Sequence, residues 1–102
     1  MTALVTRTDV DGVATLTLNR PESLNALSPS MFVELRAHVD SISGATDTIG
    51  CVVLRGAGRS FSAGNDIKAI QGGDRAPSAH FQAETIDAME ALPQPVIAQV
   101  QG

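Results

Sequence analysis

An α/β fold is predicted by three features of the 102-residue sequence. Two loosely alternating segments flank Asp11-Gly12. Two later stretches carry apolar residues at three- and four-residue steps, and Cys51-Val52-Val53-Leu54 is an unbroken apolar run. Alternation is the period of a half-buried strand, and three-to-four spacing is that of an amphipathic helix. A short continuous run marks a strand covered on both faces, as parallel strands usually are.

In chain order, Thr2 to Val10 and Val13 to Asn19 are read as a hairpin, with Ala14, Leu16 and Leu18 on one face of the second strand. Gly12 tolerates the positive φ that a tight turn between twisted strands demands. Arg20 to Asn25 breaks the pattern, because Pro21 cannot donate to a sheet ladder and pushes Arg20 towards extended geometry. Ser28-Pro29 starts a helix, Ser as capping acceptor and Pro at the first helical position. Met31, Phe32, Leu35, Val39 and Ile42 form its buried stripe, and Gly44 lies near its end. After the strand at Cys51 to Leu54, a loop of small residues from Gly56 to Gly64 leads to a short helix from Asp66 through Ile70. Gln71 to Ser78 is expected to be mobile. Ala79 to Leu92 is a second amphipathic stretch, with Phe81, Ala88, Met89 and Leu92 at helical spacing; Pro93 and Pro95 end it, and Val96 to Val100 begins another strand. No internal repeat or interdomain linker interrupts the series, so one domain is expected.

Composition narrows the function. Net charge is −4, Lys68 is the only lysine, and the six arginines are scattered, so no basic stripe offers a footprint for nucleic acid. Cys51, alone and inside an apolar run, reads as a small core residue and fits a reducing, cytoplasmic setting. No stretch of about eighteen apolar residues predicts a membrane span, and Met1 to Arg7 lacks the apolar region of a secretory signal. Small-molecule ligands or other subunits are the expected partners.

The stretch Arg59-Ser60-Phe61-Ser62-Ala63-Gly64-Asn65-Asp66-Ile67 is the most informative. Ala63 and Gly64 allow close backbone approach to a ligand, and the following N–H groups lie at a helix start, where free donors favour negative charge. Such donors suit a thioester oxygen that gains charge in an enolate or tetrahedral adduct. A plain helix cap with Asp66 as acceptor accounts for the same spacing. Elsewhere, Glu84, Asp87 and Glu90 with His80 read as a solvated helix face, since they fall largely off the apolar stripe. His38 lacks a ligand partner at metal spacing, and no metal site is predicted. Asp9-Val10-Asp11-Gly12 lacks the closing acid of a calcium loop. In Gly56-Ala57-Gly58-Arg59-Ser60-Phe61, Phe61 stands where a dinucleotide fingerprint needs its third glycine.

Four strings occur in an order and at spacings that resemble the enoyl-CoA hydratase/isomerase (crotonase) family. They are Leu18-Asn19-Arg20-Pro21-Glu22-Ser23-Leu24-Asn25-Ala26-Leu27, Val52-Val53-Leu54-Arg55-Gly56, Phe61-Ser62-Ala63-Gly64-Asn65-Asp66-Ile67 and Pro95-Val96-Ile97-Ala98-Gln99-Val100-Gln101-Gly102. The resemblance covers essentially the whole chain. It implies a crotonase-like α/β spiral of strand-strand-helix units, with residues 1–102 as the amino-terminal, incomplete part of one domain.

It also implies an acyl-CoA or enoyl-CoA thioester as ligand, with coenzyme A as part of the substrate and no permanently bound cofactor. The Asn65 backbone N–H corresponds to one oxyanion-hole donor, Ala63 to the position whose carbonyl meets the adenine amino group, and Gly64 to the turn between them. Glu22, Ser23 and Leu24 fall on the loop that contacts coenzyme A, though Glu22 stands where some members carry lysine. The family's second oxyanion donor and the hydratases' catalytic glutamates are expected beyond Gly102. Hydration by these residues alone is therefore not expected. The alternatives are a non-catalytic acyl-CoA-binding or assembly module and a truncated gene product without activity of its own. Complete relatives form trimers or hexamers, which makes a homo-oligomer possible. The apolar strand at Val96 to Val100 suggests self-association of the short form.

Overall fold

The computed structural model describes residues 3–101. The start of the first expected strand at Thr2 and the closing Gly102 lie outside them. Four strands, β1 (Val5–Val10), β2 (Val13–Leu18), β3 (Cys51–Gly56) and β4 (Val96–Gln99), form one sheet in the order β1-β2-β3-β4. β1 and β2 are the antiparallel hairpin, paired from Val5 opposite Leu18 to Val10 opposite Val13. Asp11 and Gly12 both take positive φ, 51° and 80°, the turn geometry that matches strand twist. β2–β3 and β3–β4 are parallel pairs.

Helix α1 (Pro29–Ser43) follows the expected bounds, with the Ser28 hydroxyl accepting from the Met31 N–H and Gly44 at its end. Met31, Phe32, Leu35, Val39 and Ile42 are all buried. They pack against Val5, Ala14, Leu16, Leu18 and Val52 to make the core. The in-out alternation of β2 is what presents Ala14, Leu16 and Leu18 together on that face. Glu34, on α1, accepts the Leu4 and Val5 N–H groups, and His38 Nε2 lies 3.1 Å from the Val5 carbonyl oxygen, a structural place for that histidine.

Two expectations are corrected. Among the described residues β3 is covered mainly on one face: Val52 and Gly56 are buried, with Leu54 between them partly so, whereas Cys51, Val53 and Arg55, on the opposite face, are part-exposed. An apolar run reports hydrophobicity but not which elements lie over it, and α1 covers one face only. Cys51 is therefore half-buried instead of a core residue. The second long helix is shorter than expected: α2 (Ile67–Gln71) precedes α3 (Phe81–Glu90). α3 packs on α1, but Phe81, Ala88 and Met89 are only part-buried, and its one fully buried residue is Thr85. The Thr85 hydroxyl donates to the Phe81 carbonyl at 2.8 Å, which removes the penalty of burying it. In the 71–78 stretch, Asp74 makes hydrogen bonds to Ser30 at the start of α1.

All four residues of β4 are exposed, Ile97 to 55%. No helix among the described residues is long and apolar enough to cross a membrane.

Candidate functional site

In parallel sheets the crevice outside the carboxyl ends of the strands is where ligands gather. Here two loops, 19–27 after β2 and 57–66 after β3, meet at that end. Asn25 is the clasp between them. It is fully buried, at φ 55°. Its Oδ1 accepts the Arg20 N–H at 2.8 Å, and its Nδ2 donates to the Ala57 and Ser60 carbonyls, both at 2.9 Å. Further bonds run from Ala63 N–H to the Leu24 carbonyl (2.9 Å) and from the Ser62 hydroxyl to the Asn25 carbonyl (2.8 Å). Leu24 sits in the left-handed region at φ 52°, unfavourable for a bulky side chain. Bonds on both sides of the Leu24 peptide, to the Pro21 carbonyl and from Ala63 N–H, hold it there.

The loops finish in a parallel bridge between Leu27 and Asn65. Leu27 N–H donates to the Gly64 carbonyl at 2.7 Å, and Asp66 N–H donates to the Leu27 carbonyl at 2.9 Å. Successive peptide groups of an extended segment face opposite ways. With Gly64 C=O and Asp66 N–H both facing Leu27, the Asn65 N–H is directed away from it. Among the described residues that N–H has no acceptor, and the Ala63 carbonyl has no donor. Ala63, Gly64 and Asn65 are all exposed. Gly64 takes φ 99°, and a Cβ added there would meet nothing within 4 Å, so open space lies over the turn.

α2 begins directly after the bridge. Asp66 caps it, Oδ1 accepting from Ala69 N–H at 3.0 Å, and its Oδ2 pairs with Arg20 Nη1 at 2.6 Å. Arg20 also reaches the Ala26 carbonyl and the Ser23 hydroxyl, so it binds the whole turn to the helix start. The expected cap and the free Asn65 donor thus coexist. α2 has only five residues, too short for a helix dipole to add much; what remains is the bare N–H of Asn65.

The Arg20 guanidinium, followed by the Ala69 N–H, holds the Asp66 carboxyl below the usual carboxylate range. A carboxyl whose folded pKa is depressed contributes stability that is complete above its unfolded pKa, about 3.9, and is lost as pH falls through the folded value. In urea unfolding against pH, the wild-type advantage over Asp66→Asn is expected to be constant above about pH 5 and to shrink on acidification below about pH 4. A difference independent of pH would show that the ion pair does not contribute.

Two depressions flank the bridge. One, about 520 Å³, is lined by Arg20, Glu22, Ser23, Leu24, Asp66 and Lys68, among others. The other, about 110 Å³, is mostly apolar and is walled by Leu27, Pro29, Phe32, Ile70, Ala76 and Ala79, with Asn65 at its edge. The Asn65 side chain is steadied there by Gln82 Nε2 at 3.2 Å.

The model of the family described as enoyl-CoA hydratase/isomerase matches residues 8–102. The chain belongs to this family. It is 38% identical over 98 residues to the 1,2-epoxyphenylacetyl-CoA isomerase of Escherichia coli (strain K12), a match covering 89% of this chain and 37% of that protein. Among solved structures it resembles an enoyl-CoA hydratase from Mycobacterium tuberculosis H37Rv (TM-score 0.80, 26% identity, 97% of this chain and 38% of that one). It also resembles Pseudomonas aeruginosa OdaA (TM-score 0.85, 26% identity, 99% and 40%). The chain thus spans well under half the length of these relatives, and its fold is the amino-terminal portion of the crotonase fold.

Within this family portion, the residues singled out in the sequence come together in two groups. Glu22, Ser23 and Leu24 lie on the short 3-10 turn Pro21–Ser23 and its cap, lining the larger depression. Ala63, Gly64 and Asn65 lie on the neighbouring loop, with Ala63 N–H bonded to the Leu24 carbonyl. Glu84, Asp87 and Glu90 are exposed on α3, as is His80 before it. Among the described residues no cluster of three His, Cys, Asp or Glu could hold a metal. Sequence reasoning missed Asn25 and the Arg20–Asp66 pair, whose partners are 32 to 46 residues away.

Proposed function

We propose that the chain binds an acyl-CoA thioester and stabilises charge on its carbonyl oxygen through the backbone N–H of Asn65. The observation that carries this reading is the direction of that N–H: exposed, pointed away from the Leu27 bridge, and without an acceptor among the described residues. Family membership supports the ligand class. In the proposed pose the coenzyme A portion lies along the depression lined by Glu22, Ser23, Leu24 and Lys68, with the Ala63 carbonyl free to accept from its adenine amino group. The acyl portion enters the apolar pocket beside Asn65.

Removal of a proton next to the thioester carbonyl, or addition to a conjugated double bond, moves negative charge onto that oxygen. A fixed donor aimed there lowers the barrier by about 3 kcal/mol. Proton transfer requires a separate acid or base. Asp66 is committed to Arg20 and the α2 cap, and the α3 carboxylates are solvated. The reading for these residues is therefore binding and polarisation; hydration or isomerisation belongs to a site completed by further groups.

Gly64→Val tests it. A β-branched side chain at φ 99° would be strained and would stand in the space the thioester needs. Butyryl-CoA affinity, measured by calorimetry, is expected to fall at least about tenfold, with near-native circular dichroism as the folding control. Failure of the wild type to bind butyryl-CoA, or an unchanged affinity in the variant, would remove the assignment.

A further inference from the structure

A hydrogen bond at the start of α1 joins the two walls of the apolar pocket. The first N–H groups of a helix have no intrahelical acceptor. Pro29 has none to offer, and Met31 N–H meets the Ser28 hydroxyl at 3.2 Å, which leaves Ser30 N–H. Asp74 supplies its acceptor: Oδ2 lies 3.3 Å from Ser30 N, and Oδ1 accepts from the Ser30 hydroxyl at 2.8 Å. A carboxylate is favoured at that end of a fifteen-residue helix.

Asp74 opens the stretch that contributes Ala76, Ser78 and Ala79 to one side of the pocket, while α1 contributes Pro29 and Phe32 to the other. The remaining bonds near Asp74 are local to the end of α2: Asp74 N–H to the Ala69 carbonyl, and the Arg75 guanidinium to the Ile70 and Asp74 carbonyls. Among the described residues, the Asp74 carboxylate alone bonds this stretch to α1 before α3 begins. The gap it sets is narrow. About 110 Å³ is less than the roughly 150 Å³ of an apolar cavity that admits benzene.

We propose that Asp74 is a positioning residue for acyl selectivity, holding the 74–79 wall against α1 so that the pocket takes a short, unbranched aliphatic acyl group. This rests on the acyl-CoA reading of the Asn65 site. Without the latch the wall moves out and longer chains gain burial, each methylene adding about fourfold in affinity.

The test compares wild type, Asp74→Ala and Asp74→Asn for binding of butyryl-CoA, decanoyl-CoA and coenzyme A, alongside amide hydrogen exchange over residues 75–79. Asp74→Ala is expected to raise the decanoyl-to-butyryl affinity ratio about tenfold, the worth of one to two methylenes. It should leave coenzyme A affinity unchanged and speed exchange in the wall. Asp74→Asn, which keeps an acceptor for Ser30, is expected to stay within about threefold of wild type. An unchanged ratio despite faster exchange would overturn the selectivity role, and unchanged exchange would overturn the latch itself. Were the wild type to bind no acyl-CoA, the Asn65 reading would fall with the selectivity claim, and the exchange rates would still decide whether Asp74 holds the wall.

Discussion

Gly56→Ala is expected to destabilise the protein by about 3 kcal/mol, at the upper end of what inserted methyl groups cost in packed regions. A Cβ on Gly56 would lie 2.3 Å from the carbonyl oxygens of both Ser60 and Phe61 and 2.7 Å from the Phe61 Cα. Ordinary contact between such atoms is about 3.5–4.0 Å. Every clashing atom is backbone, so no side chain can swing aside. The loop at 60–61 has to move, and with it the Ser60 carbonyl that Asn25 holds. Gly50→Ala is the control, because its Cβ would meet nothing within 4 Å. Urea midpoints of the two variants give the comparison, and equal midpoints would show that the loop does not press on the end of β3.

Asn25→Ala is expected to cost about as much or more, and to disorder the site. It strips partners from the Arg20 N–H and from the Ala57 and Ser60 carbonyls, and each buried group left unpaired costs about 1–3 kcal/mol. Alanine at φ 55° adds strain of order 1 kcal/mol that asparagine tolerates better. Asn25→Asp separates lost bonds from lost volume: the shape stays, one acceptor survives, and a carboxylate faces two carbonyl oxygens. Both variants should unfold at distinctly lower urea, with butyryl-CoA affinity falling alongside. A wild-type midpoint in Asn25→Asp would refute the clasp.

What could be foreseen from the sequence was what is local in it. The five-residue stripe of α1, the cap at Ser28 and the Asp11-Gly12 turn each follow from residues within one or two turns of chain, and the structure holds them as expected. The unobstructed backbone at Ala63 and Gly64 was also legible, because both residues are small, and both are exposed. Long-range consequences were not. Whether Cys51, Val53 and Arg55 are covered depends on elements far from them in the chain. Thr85 was passed over because a hydroxyl does not count towards an apolar stripe, although its bond to Phe81 allows it to be the best-buried residue of α3. Asn25 sat inside a stretch that simply broke the strand pattern, and nothing near it in sequence announces the carbonyls it holds.

The 57–66 loop is held at once by residues before it and after it in sequence. Asn25 bonds to it across 32 to 35 residues. From the other side, the Gln101 side chain donates to the Gly58 carbonyl across 43 residues, and Phe61 N–H donates to the Gln101 carbonyl. Closing such long segments is paid in chain entropy before any contact repays it. The hairpin and α1 are built from neighbours in sequence, whereas the direction of the Asn65 N–H rests on the Leu27 bridge, a contact between distant parts of the chain, and is expected to be set after them.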